Sequence, residues 1–422
     1  MKRRIAVIGA GWAGLTSAVE CAAAGAEVTL IEMAPAVGGR ARDVAANEGL
    51  DNGQHICIGA YSETLRVMAQ VGLDEADAFL RLPLRLVDAA GFGMRLPSGG
   101  PMQAFVRAVL GRRGWSWRDR IALLARAFGW SRRGFACAPG ATVADLVASL
   151  PHRVRRELIE PLCVAALNTP SESASGTVFL RVLHDALATG PGAADLLLPR
   201  VGLGALLPRP AIAWLEAKGA RVRLAHRAER VEAAGNTWLV DGVAFDAVVV
   251  AASPHESARL VAAHDTAWAA RTMALRYEPI VTVYATSAGT RLPEPMLALH
   301  ADEARPAQFV FDRGQLGGPT GLLAFVVSGA ASWVQRGLFA TEAATLAQAR
   351  SELATHLRGP LDPLRTIVEK RATFRCTPLL DRPPTRIAPG LVAAGDYIDG
   401  PYPATLEGAV RSGIAAAHAA MV

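Results

Sequence analysis

The sequence predicts an α/β fold in which two domains are interleaved along the chain, one built on a strand–helix–strand unit and the other on a mixed sheet with a helical cap. Three observations predict it. The amino terminus, RRIAVIGAGWAGLTSAVECAAAGAEVTLIE, reads as strand, glycine turn, helix and strand. Near the carboxyl terminus, GLVAAGDYIDGPYPATLEGAVRSGIAAAHAA repeats strand, glycine loop and helix. The length of 422 residues exceeds what one hydrophobic core usually supports.

The first unit carries chemistry. Its β-branched run turns on Gly9 and Gly11, and the helix that follows contains Ala13 and Gly14 and ends at Gly25. Gly9 permits the tight turn. Gly11 lets the backbone approach a pyrophosphate at the helix N-terminus, where unpaired N–H groups collect, and Gly14 lets helix and strand pack closely. Glu32, at the end of the second strand, is placed to accept hydrogen bonds from a ribose diol and would repel the extra phosphate of NADP. Glycines in the G-x-G-x-x-G pattern also mark plain turns. Strand, glycines, helix, strand and acid in that order make a Rossmann-like dinucleotide site.

After Glu32 the chain reads MAPAVGGRAR, a spacing that resembles the extended fingerprint of FAD-containing amine oxidases, protoporphyrinogen oxidases and carotenoid desaturases. The resemblance implies FAD as cofactor, with Gly38, Gly39, Arg40 and Arg42 around its pyrophosphate: backbone donors and a fixed cation would neutralise two phosphate charges. In that superfamily an Ala-Gly-Asp segment sets its Asp on the ribityl chain or phosphates and aims the next helix at the flavin pyrimidine edge. Gly395, Asp396, Thr405 and Leu406 match it here, with a helix from about Ala404 whose positive end would suit an anionic reduced flavin. The stretch from Pro199 to Pro254 is similar to the superfamily's middle segment. It implies a helix near 205–218, strands RVRL, RAERVE and AVVVAA, and the backbone of Ala228 against the adenine.

The FAD-binding domain is therefore expected from residues 1–85, 196–256 and 386–422. Residues 86–195 and 257–385 are expected to form the substrate domain and its cap. Its strands lie near IVTVYA, QFVFDR, LLAFVVS and RTIVEKRATF, with a helix over 342–357 capped by Thr341.

In LDNGQHICIGAY, Asp51, Asn52, Gln54 and His55 precede an apolar run. An unpaired polar group taken out of water costs about 1–3 kcal/mol, so the fold or a ligand must satisfy them. Asp51, Asn52 and Gly53 resemble the superfamily's Asp-x-Gly segment beside the isoalloxazine, which makes flavin and substrate the expected partners. The stretches LDNGQHICIGAYSETLRVMAQVG, EKRATFRCTP and PYPATLEGAVRSG closely resemble bacterial hydroxysqualene dehydroxylases, a likeness that runs end to end and is least diagnostic in the cap.

That family implies loss of the hydroxyl of hydroxysqualene as water, hydride delivery from reduced FAD to the allylic cation, and squalene as product for hopanoid or carotenoid precursor synthesis. A general acid must stand within about 2.6–3.2 Å of the hydroxyl. His55, beside Gln54, is the first candidate, with Asp399 and Tyr402 as rivals. The other reading of His55 is a hydrogen bond to backbone next to the flavin. Lys370 matches no lysine of the amine oxidases and reads as an ion-pair partner of Glu369 or Asp396.

Two rival functions stand beside this one. A desaturase or oxidase would take hydride from a carotenoid precursor or an amine, since one fold serves hydride transfer in both directions. Amine oxidation is disfavoured by the lack of a covalent-flavin cysteine motif and an aromatic cage. A lipid carrier that has lost flavin is opposed by the intact Gly9, Gly11, Gly14, Glu32, Arg40 and Asp396.

Composition adds a surface. Hydrophobic residues make up 51% and charged ones 19% of the chain, with mean hydropathy +0.24, which suggests apolar surface kept for lipid. No stretch reads as a membrane span. MKRRIAVIGAGWAGL imitates a secretory signal, but no small-residue cleavage site follows, so a cytoplasmic location is expected. Cys21, Cys57, Cys137, Cys163 and Cys376 are scattered without a C-x-x-C pair, which indicates neither a disulfide framework nor a metal site.

Residues 107–133 hold eight arginines against one acid, Asp119, with Trp115, Trp117 and Trp130 interleaved. Trp117, Ile121, Leu124 and Phe128 share one helical face, as in a helix lying on an anionic membrane surface, here the inner membrane. Ordinary packing is the alternative; a nucleic-acid partner is not expected, because no recognisable module surrounds the segment. Prenyl-condensing enzymes are the expected suppliers of substrate.

Overall fold

The computed structural model describes residues 2–45, 49–97 and 99–422. Its central sheet has six strands. Arg4–Ile8 lies between Glu27–Ile31 and Ala247–Val250; Arg221–Arg223 flanks the former, and Leu391–Ala393 followed by Arg386–Ala388 flanks the latter. Every neighbouring pair is parallel except the last. Strands covered on both faces read as unbroken apolar runs, and Ile5, Val7, Val248 and Val250 are buried accordingly.

The helices Trp12–Ala23 and Leu406–Met421 pack together, joining the two ends of the chain. Ser17 Oγ donates to the Gly413 carbonyl at 2.8 Å, and a Cβ on Gly413 would come within 2.5 Å of the Ala13 carbonyl. Only glycine allows that approach.

A second sheet runs in the order Met296–Ala298, Phe309–Asp312, Leu322–Val327, Tyr277–Thr286, Asp362–Phe374. All its ladders are antiparallel. The α/β class is the one expected, but the sheet of mixed direction is the six-stranded one. One face of the second sheet buries Val281, Val283 and Phe325 with Leu346, Ala349 and Leu353 of the neighbouring helical segment. Tyr284, Phe309 and Phe311 belong to a separate apolar cluster.

Two helices differ from expectation. The helix expected at 342–357 is Leu338–Glu352. Thr341 does not cap it: its hydroxyl donates to the Gly337 and Trp333 carbonyls at 3.0 and 3.1 Å, and the helix starts a turn earlier, at Leu338, with Gly337 in the N-cap position at φ +98°. The helix expected at 205–218 is split into Leu203–Leu206 and Pro208–Ala217, because Pro208 has no N–H to continue the first piece.

Residues 101–188 include the helices Pro101–Leu110, Trp117–Arg132, Val143–Val147, Glu160–Leu167 and Gly176–Ala188. Trp117–Arg132 opens on a capping box, Ser116 Oγ accepting from Asp119 N and the Asp119 carboxylate accepting from Ser116 N at 2.9 Å. Leu123, Ala127 and Trp130 face inward, while Trp117, Ile121 and Phe128 are 65%, 61% and 64% exposed. Leu124 is half-buried against the core. Trp115 is buried and donates to Glu157 at 2.8 Å. Among the described residues, no helix is long and apolar enough to cross a membrane.

Candidate functional site

Both sheets and the helix Glu160–Leu167 contribute to the lining of one cavity of about 560 Å³. Part of its wall is backbone. Gly9, Gly11, Gly38, Gly39, Gly53 and Gly395 line it, together with Ala13, Glu32, Arg40, Ala228, Asp396, Thr405 and Leu406. Ile56, Val164, Leu167, Ile280, Phe309 and Phe311 supply an apolar part of the wall, Asn168, Ser328, Glu369 and Arg371 are among its polar residues, and Gln54 and His55 line the same space.

The glycine wall follows from two loops meeting. Gly9 turns with φ +107°, and a Cβ there would strike the Ala251 carbonyl at 2.5 Å. Gly38 N donates to the Ala10 carbonyl at 2.8 Å, which brings Gly39 so close that its Cβ would sit 3.2 Å from Gly11 Cα. Gly14 lies outside the lining and does what the spacing requires, since a Cβ there would overlap the Gly9 carbonyl. Glu32 accepts from Ala10 N at 2.6 Å and Ala34 N at 2.8 Å.

Arg40 pairs with Asp396 and donates to the carbonyls of Ala372 at 3.0 Å and Arg371 at 3.3 Å. Burial acts against its charge, but Asp396 outweighs burial and holds the guanidinium firmly protonated. Arg42 folds back onto the Gly39 carbonyl and is not part of the lining. Thr405 caps the last helix, its hydroxyl accepting from Gly408 N at 2.9 Å. The Ala228 carbonyl accepts from Arg259 at 2.7 Å.

Within the polar row, where the resemblance made flavin and substrate the expected partners, several groups find partners in the protein itself. Asp51 is buried and turned away from the cavity; its carboxylate accepts from Leu203 N at 2.9 Å and shares a hydrogen bond with Asp43. Burial pushes its pKa up to about 7, and Asp43 adds to this against the Leu203 N–H and the Arg313 charge. Asp43 is held low, against burial, by Gly204 N–H and Arg209. Asn52 donates to the Arg40 carbonyl and to Glu369, both at 3.0 Å.

His55 Nδ1 is 2.9 Å from the Gly53 carbonyl, so Nδ1 carries the proton in that contact. Burial pushes its imidazole below the usual range; the Gly53 carbonyl opposes this and the Arg40 charge reinforces it. Gln54 Oε1 accepts from Arg313 at 3.3 Å.

Asp399 and Tyr402 are not brought to this cavity. They line a separate depression of about 110 Å³, Asp399 paired with Arg382 and the Tyr402 ring set against Arg411 and Arg181. Lys370 is exposed, and among the described residues it forms no ion pair; Glu369 and Asp396 are taken by Asn52 and Arg40. Sequence reasoning missed Asp43 and Arg313. Arg313 reaches Gln54 and Pro199, and Asp43 reaches Gly204 and Arg209, each more than 100 residues away; the nearer contact of Asp43 with Asp51 needs the pairing of two short strands that no periodicity announces.

The family model described as flavin containing amine oxidoreductase matches residues 12–421. The chain belongs to that family. It is 27% identical over 457 residues to a hydroxysqualene dehydroxylase of Sinorhizobium fredii, covering 100% of this chain and 99% of the relative. A hydroxysqualene dehydroxylase of Rhodopseudomonas palustris is 28% identical, with 99% and 98% covered. An oxidoreductase from Methanosarcina mazei shares the fold with a TM-score of 0.71 at 15% identity, 98% of this chain and 99% of the other being covered.

This family member is an FAD-dependent oxidoreductase. The cavity fits the cofactor: Gly11, Gly38 and Gly39 bring bare backbone to its wall, and that backbone together with Arg40 offers donors and positive charge to an anion.

Proposed function

We propose that this oxidoreductase converts hydroxysqualene to squalene by reductive dehydroxylation. The supporting observation is a single cavity that joins a glycine-lined cradle to an apolar wall, in a chain similar over its whole length to hydroxysqualene dehydroxylases. Gly9, Gly11, Ala13, Gly38, Gly39 and Arg40 are assigned to the pyrophosphate, Glu32 to the ribose, Ala228 to the adenine, and Gly53, Gly395, Asp396, Thr405 and Leu406 to the flavin end, with Gly14 packing behind. Residues 1–85, 196–256 and 386–422 are accordingly assigned to FAD, and the remainder to substrate.

When bound, reduced FAD supplies the hydride. The apolar wall of Ile56, Val164, Leu167, Ile280, Phe309 and Phe311 holds the isoprenoid chain and excludes water that would otherwise capture an allylic cation. His55, anchored at Nδ1 by Gly53, presents Nε2 to the hydroxyl; when protonated it gives that proton to the departing oxygen, which leaves as water.

The helix Trp117–Arg132 is assigned to an anionic bilayer, at the cytoplasmic face of the inner membrane, from which an oily substrate would be drawn. Its exposed Trp117, Ile121 and Phe128 lie among exposed Arg113, Arg118, Arg132 and Arg133, a combination suited to an anionic interface.

Reduced enzyme mixed anaerobically with hydroxysqualene is the deciding experiment. Squalene formed in a single turnover supports the reaction. Absence of squalene, with hydride removed from a carotenoid precursor by the oxidised enzyme, would instead establish the desaturase.

A further inference from the structure

Arg313 follows the strand Phe309–Asp312 and is 3% exposed, yet among the described residues it pairs with no carboxylate. Its Nη1 reaches Gln54 Oε1 at 3.3 Å and the Pro199 carbonyl at 3.4 Å, and its Nε has no partner. A buried guanidinium this sparsely satisfied calls for an explanation. It is not loosely held: Gly318 N donates to its carbonyl at 2.8 Å, and a Cβ on Gly318 would lie 3.2 Å from its own Cβ.

The contact with Gln54 supplies the explanation. Arginine has donors and no acceptor, so the Gln54 atom facing Nη1 must be its carbonyl oxygen, and the amide NH2 is turned the other way. Gln54 lines the cavity. Among the described residues its NH2 has no acceptor, and it is not among the buried atoms lacking a partner, so it is accessible, and the cavity is the open space that Gln54 borders.

We propose that Arg313 is a positioning residue that fixes the amide of Gln54 with its N–H groups toward the cavity, where they donate to the oxygen of the substrate hydroxyl. The inference rests on the dehydroxylation reading for the identity of that oxygen. A hydroxyl that departs as water carries two lone pairs, and a donor on one leaves the other for the incoming proton. Leucine or methionine at position 54 would fill the space without that bond. An amide free to turn over would present its carbonyl half the time, which cannot donate to that oxygen.

The test uses oxidised holoenzyme and two unreactive probes, squalene and the ketone corresponding to hydroxysqualene, whose oxygen can only accept. Their dissociation constants are read from the flavin absorbance change. Wild type is expected to bind the ketone about tenfold more tightly than the hydrocarbon, the worth of one hydrogen bond. Gln54→Glu keeps an acceptor for Arg313, and hence its melting temperature, but removes the donor and should abolish the preference. Arg313→Met should reduce it and Arg313→Lys restore part of it. A purely structural role would lower the melting temperature and leave the preference intact.

A ketone preference unchanged in Gln54→Glu overturns the proposal, as does wild type showing none. Turnover of hydroxysqualene by wild type is measured separately, so failure of the substrate reading is seen independently of the probe result.

Discussion

The guanidinium of Arg40 and the carboxylate of Asp396, 356 positions apart in the chain, form an ion pair in the cavity wall. Through its other amine Arg40 also holds the carbonyls of Arg371 and Ala372. One side chain thus ties the second glycine loop to the end of the long strand and to the carboxyl-terminal segment.

Asp396→Ala should therefore cost stability and cofactor together. Arg40 is partly exposed to the cavity, with 38% of its side chain accessible, so the loss is expected at about 1–3 kcal/mol and not the larger penalty of a fully buried charge left alone. Thermal melts, with flavin absorbance per protein, would check it. A variant that retains full FAD at the wild-type melting temperature would show that the pair holds neither.

The glycine turn was legible in the sequence because its meaning is local. Gly9 must turn with positive φ and Gly14 must touch Gly9, and both demands sit within six residues. Asp396 was legible only through resemblance, and its pairing with Arg40 not at all. The protein partners of the polar row were hidden for the same reason: Asp51 finds Leu203 and Asn52 finds Glu369, partners that only the tertiary fold brings near. Thr341 looked like a cap because a threonine hydroxyl satisfies either an N-terminal N–H or a carbonyl four residues back, and the sequence does not say which.

Asp51 should make stability fall with rising pH. The folded state keeps its proton up to about pH 7, whereas an unfolded Asp loses it near about 3.9. Between those values the folded state binds more protons, so the contribution is complete below about pH 4 and declines until about pH 7. Asp51→Asn can accept from Leu203 and donate to Asp43 at every pH. It should flatten this slope and be more stable than wild type at pH 8 by up to a few kcal/mol, each pKa unit being about 1.4 kcal/mol. Melts from pH 5 to 8.5 as buffer settings would show parallel curves for the two proteins if the shared proton plays no part.

His55 predicts the opposite use of a shifted group. Burial lowers its pKa, so the imidazolium is lost below the ordinary value of about 6.5. Single-turnover dehydroxylation by reduced enzyme should slow as pH rises through that region. His55→Gln should be slower by about 10²-fold or more and lack this dependence. Wild-type rates in His55→Ala at saturating substrate would leave the residue only its contact with Gly53.

The helix Trp117–Arg132 separates surface function from folding, because its two faces differ so sharply. Leu123, Ala127 and Trp130 are buried, whereas Trp117 and Phe128 are 65% and 64% exposed. Exchanging the exposed pair for serine should change stability by no more than about 0.5 kcal/mol per site. The same exchange removes the groups that would enter a bilayer, beside arginines each contributing about 1 kcal/mol near an anionic surface. Arg120 and Arg132 already lie over the Trp117 and Phe128 rings at 4.9 and 5.8 Å, so cation and apolar group would approach the interface together. Wild type should co-sediment with anionic vesicles at low salt and be released as salt screens the charges. The Trp117→Ser, Phe128→Ser protein should remain folded and bind at least about tenfold more weakly. Equal binding by the two, or none by wild type, would return this face to ordinary surface.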